Sequence, residues 1–299
     1  MNYKTILHTM IFNLLLALTL SACGGADNNH ANVVIDDGSE ITTNDYKYVK
    51  SSGDIRIMTY NSFYCKGNNR TPTFSDENTH RFASVIGALA PDVVAIQELD
   101  SSCVHRNKRY LLEEISKYTG IDYELFFGSA ANFDGGRIGC GLLVKRSMKV
   151  DDVQFTPLPG DEPRMLIEAK FPKFTVFATH MDLNPMNRKA SAELINRKAR
   201  ESGVPLFLIG DLNDSPTWKP EQSAFPELMQ KFKIVSDVSG SLPEQPGVTI
   251  DYVLLGQQHA AKITVTGTHV VRRLSVKGEQ LDLSTASDHY PVFADIRLK

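Results

Sequence analysis

The stretch Val204–Pro216, VPLFLIGDLNDSP, limits the fold more than any other in this chain. Pro205 to Ile209 has the apolar composition of a buried strand and breaks at Gly210. Asp211, Asn213 and Asp214 follow at once, and Pro216 closes the turn. Asp211 and Asn213 lie two residues apart at a strand end and therefore on one side. A carboxylate and an amide held this way suit a hard cation or the oxygens of a phosphate. The plain alternative is a polar turn, where Asp and Asn are common for their own backbone chemistry.

The rest of the chain decides between them. It has 299 residues, 42% hydrophobic and 22% charged, which suits one large domain with a sizeable core. The formal charge is −3, so no global field draws it to nucleic acid. Lys4 precedes an apolar run from Ile11 to Leu20 that is shorter than the ~20 residues of a membrane span. Leu20-Ser21-Ala22-Cys23 then resembles the lipobox of bacterial lipoproteins, with 1–22 as signal peptide and Cys23 as the acylated mature N-terminus. An ordinary secretory signal with an incidental cysteine is the competing reading. Residues 23–53 read as a tether of about 90 Å full reach, leaving 54–299 as the domain. Export permits disulfides, and Cys65 and Cys103, each after an expected strand end, are the expected pair. Three buried free thiols, counting Cys140, are the alternative.

Along the domain, strands are expected at Asp54–Tyr60, Val93–Gln97, Tyr123–Phe127, Ile138–Lys145, Val150–Phe155, Arg164–Ala169, Phe174–Thr179, Val248–Leu255, Ile263–His269 and Val292–Leu298. Helices are expected after Thr79 as a cap, over Tyr110–Tyr118 and over the basic stretch Arg188–Glu201. Strands and helices alternate in both halves, which gives α/β character with two sheets. Asn61, Glu98, His180, Asp211, Asn213 and Asp288-His289 all fall at or beside strand ends, and Asp251 lies inside TIDYVLL. Strand ends on one edge of a sheet converge, and sites are built there. A lone histidine is usually a satisfied hydrogen-bonding residue, but a set of this size with little other polar intrusion into strands points to a site.

NSF after the first strand, AIQELD, THMD, GDLNDSP, TIDYVLL and SDHYP occur in the order of the endonuclease/exonuclease/phosphatase (deoxyribonuclease-I-like) superfamily, which the chain resembles from about Asp54 to Lys299. The resemblance implies a four-layered α/β sandwich, two mixed β-sheets packed face to face with helices outside. It implies a Mg²⁺ or Mn²⁺ ion held by Glu98 with Asn61 and Asp288, oxygen donors that suit either. It makes Asp251 the orienting partner of His289, sets His180 and Asn213 on the non-bridging oxygens, and gives Asp211 the nucleophile or the leaving-group proton. Either Asp211 or His289 could be the base. Glu162 and Arg164 resemble an E-x-R pair of exported members, and Arg106 a basic residue on the loop after AIQELD; both arginines are candidate substrate contacts or surface salt bridges. Cys140 stands where many relatives have asparagine. No G-x-S-x-G, H-E-x-x-H or G-x-x-x-x-G-K motif occurs, and a glycosidase carboxylate pair would leave the Asn and His residues idle.

The expectation is thus a monomeric, lipid-anchored phosphoesterase of the cell envelope, facing from the outer membrane, that attacks phosphorus with an activated water. Small or lipid-derived esters are favoured over duplex DNA, because the basic residues of 188–200 point several ways on one helix instead of forming a phosphate track. A metal-dependent endo- or exonuclease is the alternative, and a non-catalytic binding domain the other class.

Overall fold

The computed structural model describes residues 48–68, 74–276 and 279–299. The expected signal peptide, the expected lipidation at Cys23 and the expected tether as far as residue 47 lie outside the described residues. Folded structure begins before Asp54: Tyr48 is buried, with its ring edge-on to His269 and Phe293. Among the described residues no helix is long and apolar enough to cross a membrane.

The chain order is β1 (Ile55–Asn61), α1 (Asp76–Leu89), β2 (Val93–Ser101), α2 (Leu111–Thr119), β3 (Tyr123–Phe133), β4 (Gly136–Lys145), β5 (Asp152–Leu158), β6 (Arg164–Lys170), β7 (Thr175–His180), α3 (Pro185–Arg200), β8 (Leu206–Asp211), α4 (Phe225–Leu228), β9 (Phe232–Ile234), β10 (Asp251–Gly256), β11 (Ile263–Val270), β12 (Leu274–Val276), β13 (Glu279–Leu281), α5 (Leu283–Ala286) and β14 (Val292–Leu298). One six-stranded sheet runs β11-β14-β1-β2-β4-β3 and the other β5-β6-β7-β8-β10-β9, with β12-β13 a separate ribbon. In each large sheet one parallel pair, β1 with β2 and β7 with β8, sits among antiparallel neighbours. Both sheets are therefore mixed, as expected.

The period of two along the strands sorts side chains into three apolar layers. Met58, Tyr60, Val94 and Ile96 face α1 and α2, which supply Phe82, Val85, Ile86, Leu112 and Ile115. Ile57, Val93, Ala95, Val176, Ala178, Phe207, Ile209, Val253 and Leu255 fill the gap between the sheets. Phe177, Leu206, Leu208, Tyr252 and Leu254 meet α3 and α4 through Ala192, Ile195, Phe225 and Leu228. Each such side chain contributes ~1.5–3 kcal/mol on burial. Four layers result, helix, sheet, sheet and helix.

Two expectations fail. α1 is capped by Ser75, whose side chain accepts from Asn78 N, so Thr79 lies in the first turns and not at the cap. The Cys65–Cys103 bridge does not form: Cys65, Cys103 and Cys140 are all free and buried. Cys65 packs in the layer under α1, whereas the Cys103 thiol donates to Phe133 O at 3.3 Å, in the β3–β4 corner. The two sulfurs serve different neighbourhoods, and following a strand end in sequence does not bring them together.

Candidate active site

The polar residues continue the apolar rows of the inter-sheet layer. In β8 the sequence Phe207, Ile209, Asp211 stays on one face; in β7 it is Val176, Ala178, His180; in β10, Leu255, Val253, Asp251. The register pairs Asp211 with His180 on one side and with Asp251 on the other. Three polar groups thus form a row across three strands where the hydrophobic core ends. In the facing sheet Ile57 and Asn61 lie on the same side of β1.

Glu98 arrives by a different device. The pairing of β2 with β4 shifts between Ile96 and Leu99, and Glu98 has φ +54°. Without this bulge Glu98 would follow Val94 and Ile96 into the helix-facing layer. The extra residue passes that position to Leu99, which joins the layer, and turns Glu98 out of it. Asn213, at φ +48°, is a second non-glycine residue held in the left-handed region. Such conformations cost of order 1–3 kcal/mol each and concentrate at functional sites.

The two sheets meet through these side chains. Asn61 Nδ2 donates to Glu98 Oε1 at 3.1 Å and to Asp211 Oδ2 at 3.0 Å, while its Oδ1 accepts from Phe63 N at 2.9 Å. Asn61 thus steadies Glu98 with its nitrogen in place of turning its oxygen toward it. His289 Nδ1 lies 2.8 Å from Asp251 Oδ2, and its Nε2 is 3.8 Å from Asp211 Oδ2 and 3.9 Å from Asp288 Oδ1. His180 Nε2 lies 3.5 Å from Asp211 Oδ2 and 2.9 Å from Asn213 Nδ2, and Asp211 Oδ1 accepts from Asn213 N at 2.8 Å. Every residue expected at the site is therefore at or beside one mouth, save Arg106. Its guanidinium pairs with Asp100 at 2.9 Å and lies over the rings of Tyr64, Phe74 and Phe133 at 4.0, 5.0 and 5.2 Å. It is committed to propping Tyr64, which itself lines the cleft with Glu98, Glu162, Arg164 and His180. Cys140, where an asparagine was the family expectation, lines that cleft too.

Electrostatics divide the groups. Burial and then the charge of Asp251 push Asp211 up to about 7. Burial likewise raises Glu98 and Asp288, helped by the charge of Asp288 on Glu98 and by that of Asp251 on Asp288. His289 is raised to about 10, because Asp251, first by charge and then by hydrogen bond, overcomes the burial that opposes it. A histidine raised in this way stabilises the fold fully below its unfolded value of about 6.5, and that stability is lost as pH rises through the folded value. The metal-free protein should therefore lose more stability than His289→Gln between about pH 7 and 10, read as the difference in Tm slopes. Equal slopes would remove the ion pair from the account.

A divalent cation fits this donor set. Glu98 and Asp288 are hard oxygen donors, and the charge of Asp288 acts on Glu98. No lysine or arginine pairs with either among the described residues, and Asp288, a third exposed, faces His289 at 3.9 Å. Asp211, Asp251 and His289 also bring ligand atoms within 4.8 Å of one another, but there the Asp251–His289 bond already uses the nearest pair.

Residues 58–289 match the family described as Endonuclease/Exonuclease/phosphatase. The chain belongs to that family. It is a metal-dependent hydrolase of phosphoester bonds. No curated protein matches the sequence. Solved structures with the same fold include an endonuclease/exonuclease/phosphatase from Beutenbergia cavernae, 20% identical, TM-score 0.60, covering 82% of this chain and 72% of that one. A mannosyl-6-phosphatase from Bacteroides thetaiotaomicron is 16% identical, TM-score 0.61, covering 81% and 99%. TDP2 from D. rerio, complexed with a single-strand DNA product, is 16% identical, TM-score 0.59, covering 83% and 100%. At these identities the likeness concerns the fold.

Sequence reasoning missed Arg188, Asp214 and Asp182. Arg188 is buried, donates to Asp214 Oδ2 at 3.1 Å and to the Asp182, Leu183 and Gln222 carbonyls, and so ties the loop after β7 to the loop after β8. Asp214 was visible inside GDLNDSP, but its partner lies 26 residues earlier on α3, where it reads as one more basic helix residue.

Proposed function

We propose that the protein is a Mg²⁺- or Mn²⁺-dependent phosphoesterase acting on small or lipid-derived phosphate esters. The observation that carries the reading is the meeting of Glu98 and Asp288, the Asp251–His289 pair, Asp211 and the His180–Asn213 pair at one mouth between the sheets. Glu98 and Asp288 would hold the cation, with Asn61 orienting Glu98. Bound there, the cation would supply positive charge against the charge that builds on the phosphoryl group. His180 and Asn213 donate to non-bridging oxygens as charge builds there. Asp251 fixes His289 with Nδ1 protonated and stabilises its charged form; Asp211, raised toward neutrality, is placed to take or return a proton at Oδ2.

The preference for small esters rests on where the arginines of this rim are used. Arg106 pairs with Asp100, Arg109 with Glu114 and Asp76, Arg164 with Glu162, and Arg188 with Asp214. A duplex track needs several cations free to displace counterions. The deciding experiment is a panel of phosphate mono- and diesters, with plasmid nicking and single-stranded DNA beside them, in Mg²⁺, Mn²⁺ and EDTA at matched salt. Metal-dependent turnover of the small esters supports the reading. Efficient nicking with steep salt dependence establishes the nuclease instead, and no turnover with any substrate leaves the binding domain.

The lipobox-like LSAC supports an envelope location for the mature protein, anchored through Cys23, and Gly24 favours the outer membrane. Cys23→Ala is expected to move the protein from the membrane to the soluble fraction with unchanged specific activity. Wild-type protein already soluble on fractionation rejects the anchor.

A further inference from the structure

We infer that Arg164 is a positioning residue: it holds His180 as a neutral imidazole with the proton on Nε2, so that His180 serves as a fixed hydrogen-bond donor and not as a proton carrier. This deepens the reading of His180 as a phosphate-facing residue and rests on it for its catalytic meaning, though not for its test.

A guanidinium has only donors and stays charged. Arg164 Nη1 lies 3.1 Å from His180 Nδ1, so Nδ1 must offer its lone pair and the ring's single proton sits on Nε2. The arginine is held there from two further sides. Nη2 donates to Glu162 Oε2 at 3.0 Å, and Nε, buried with no hydrogen bond of its own, lies 4.0 Å from Asp182 Oδ1. Asp182 is in turn fixed by Asn187 Nδ2 at 2.7 Å and Asp161 N at 2.9 Å. A swing of the guanidinium away from His180 would have to break this lattice.

The other side of the ring sharpens the argument. Asn213 Nδ2 is 2.9 Å from His180 Nε2 and also donates to Met181 O at 2.9 Å, which fixes the amide's orientation. Two donors thus approach one ring, and a neutral imidazole can accept from one of them. The charge-assisted contact from Arg164 is the stronger. Nε2 keeps its hydrogen, for which Asp211 Oδ2 at 3.5 Å is a long and poor acceptor. The N–H of His180 and the second N–H of Asn213 then meet as two donors 2.9 Å apart, with no good acceptor between them. An anionic oxygen reaching them satisfies both, which is what a phosphoryl group brings.

The charges around the ring agree. Burial, Arg164 and His289 all hold His180 well below the usual histidine range. The two histidines of the site are thereby set apart by their Nδ1 partners: a carboxylate behind His289 keeps it protonated, and a guanidinium behind His180 keeps it neutral.

The test reads the ring directly, by ¹⁵N-detected side-chain NMR of the full protein with and without Mg²⁺, the His180 signals being assigned by their loss in His180→Gln. The expected spectrum has one protonated nitrogen, Nε2, and no titration between about pH 5 and 8. In Arg164→Met the ring should lose its single tautomer, whereas Arg164→Lys, which restores a donor, should keep it. A wild-type ring protonated on Nδ1 or titrating in the window overturns the inference, as does an Arg164→Met spectrum identical to wild type. If Arg164→Met does not fold, the wild-type spectrum decides. No turnover is needed, so a protein inactive on every phosphoester tried would count against the proposed function and leave this result intact.

Discussion

Glu98→Gln is expected to lower kcat/KM by at least about a hundredfold on whichever phosphoester is the substrate, with the fold intact. Losing even an outer-sphere partner of a metal typically costs 10–100-fold, and here the change removes an anionic donor itself. Glutamine keeps the length of the side chain and can occupy the bulge that glutamate occupies, so the backbone has no reason to move. The metal-free protein should be no less stable, and its Tm unchanged or higher. Glu98 is mostly buried and Asp288 repels its charge, so ionised Glu98 works against folding until a cation arrives. The two readouts together are diagnostic: wild-type Tm should rise with added Mg²⁺ much more than that of the variant. Near wild-type turnover in Glu98→Gln at low Mg²⁺ would mean that the cation is held elsewhere.

Asp251→Asn is expected to have the second large effect, a fall in kcat on the order of 10³–10⁴, by the same logic that makes an orienting aspartate behind a catalytic histidine indispensable. Asp251 is fully buried, and its Oδ2 takes the hydrogen bond of His289 Nδ1. An amide there can turn its NH₂ to the ring, which moves the proton to Nε2 and removes the charge that favours imidazolium. The same substitution takes away a charge that holds Asp211 up, so Asp211 becomes a weaker base as well. Retention of more than about a tenth of the activity would disconnect Asp251 and His289 from the reaction.

Much of this site could be read before the structure because its residues extend strands whose apolar alternation is strong. Val292–Leu298 was expected with the bounds it has, and the ends of β7, β8 and β14 deliver His180, Asp211 and Asp288-His289 where the pattern breaks. What could not be read depended on partners distant in sequence. The bulge at Glu98 leaves no composition signal, and a strand reading through Gln97 stops one residue short of its meaning. Arg106 and Arg164 stood alike as candidate substrate contacts or surface salt bridges; one is enclosed by the rings of Tyr64, Phe74 and Phe133, and the other touches His180. The disulfide expectation failed for the same reason, since position after a strand says nothing of the layer a sulfur enters. β9, β12 and β13 are three residues each, too short for any periodicity to register.

The order of strands has a consequence for when the enzyme comes into being. The sheet with β5 to β10 is one unbroken run of chain, Asp152 to Gly256, but the other sheet needs the last strand: β14 lies between β1 and β11, with Ile55 opposite Ile296. Asp288 and His289 lie just before that strand, separated from it by Tyr290 and Pro291. A growing chain can therefore assemble His180, Asp211 and Asp251 early, yet it has no counterpart for Glu98 and no imidazole for Asp251 until Asp288, His289 and β14 have been made. Pairing over so long a separation is slow and comes late. The C-terminal strand is the latch of the catalyst: nascent chains and C-terminally clipped products would hold half of the chemistry and perform none of it.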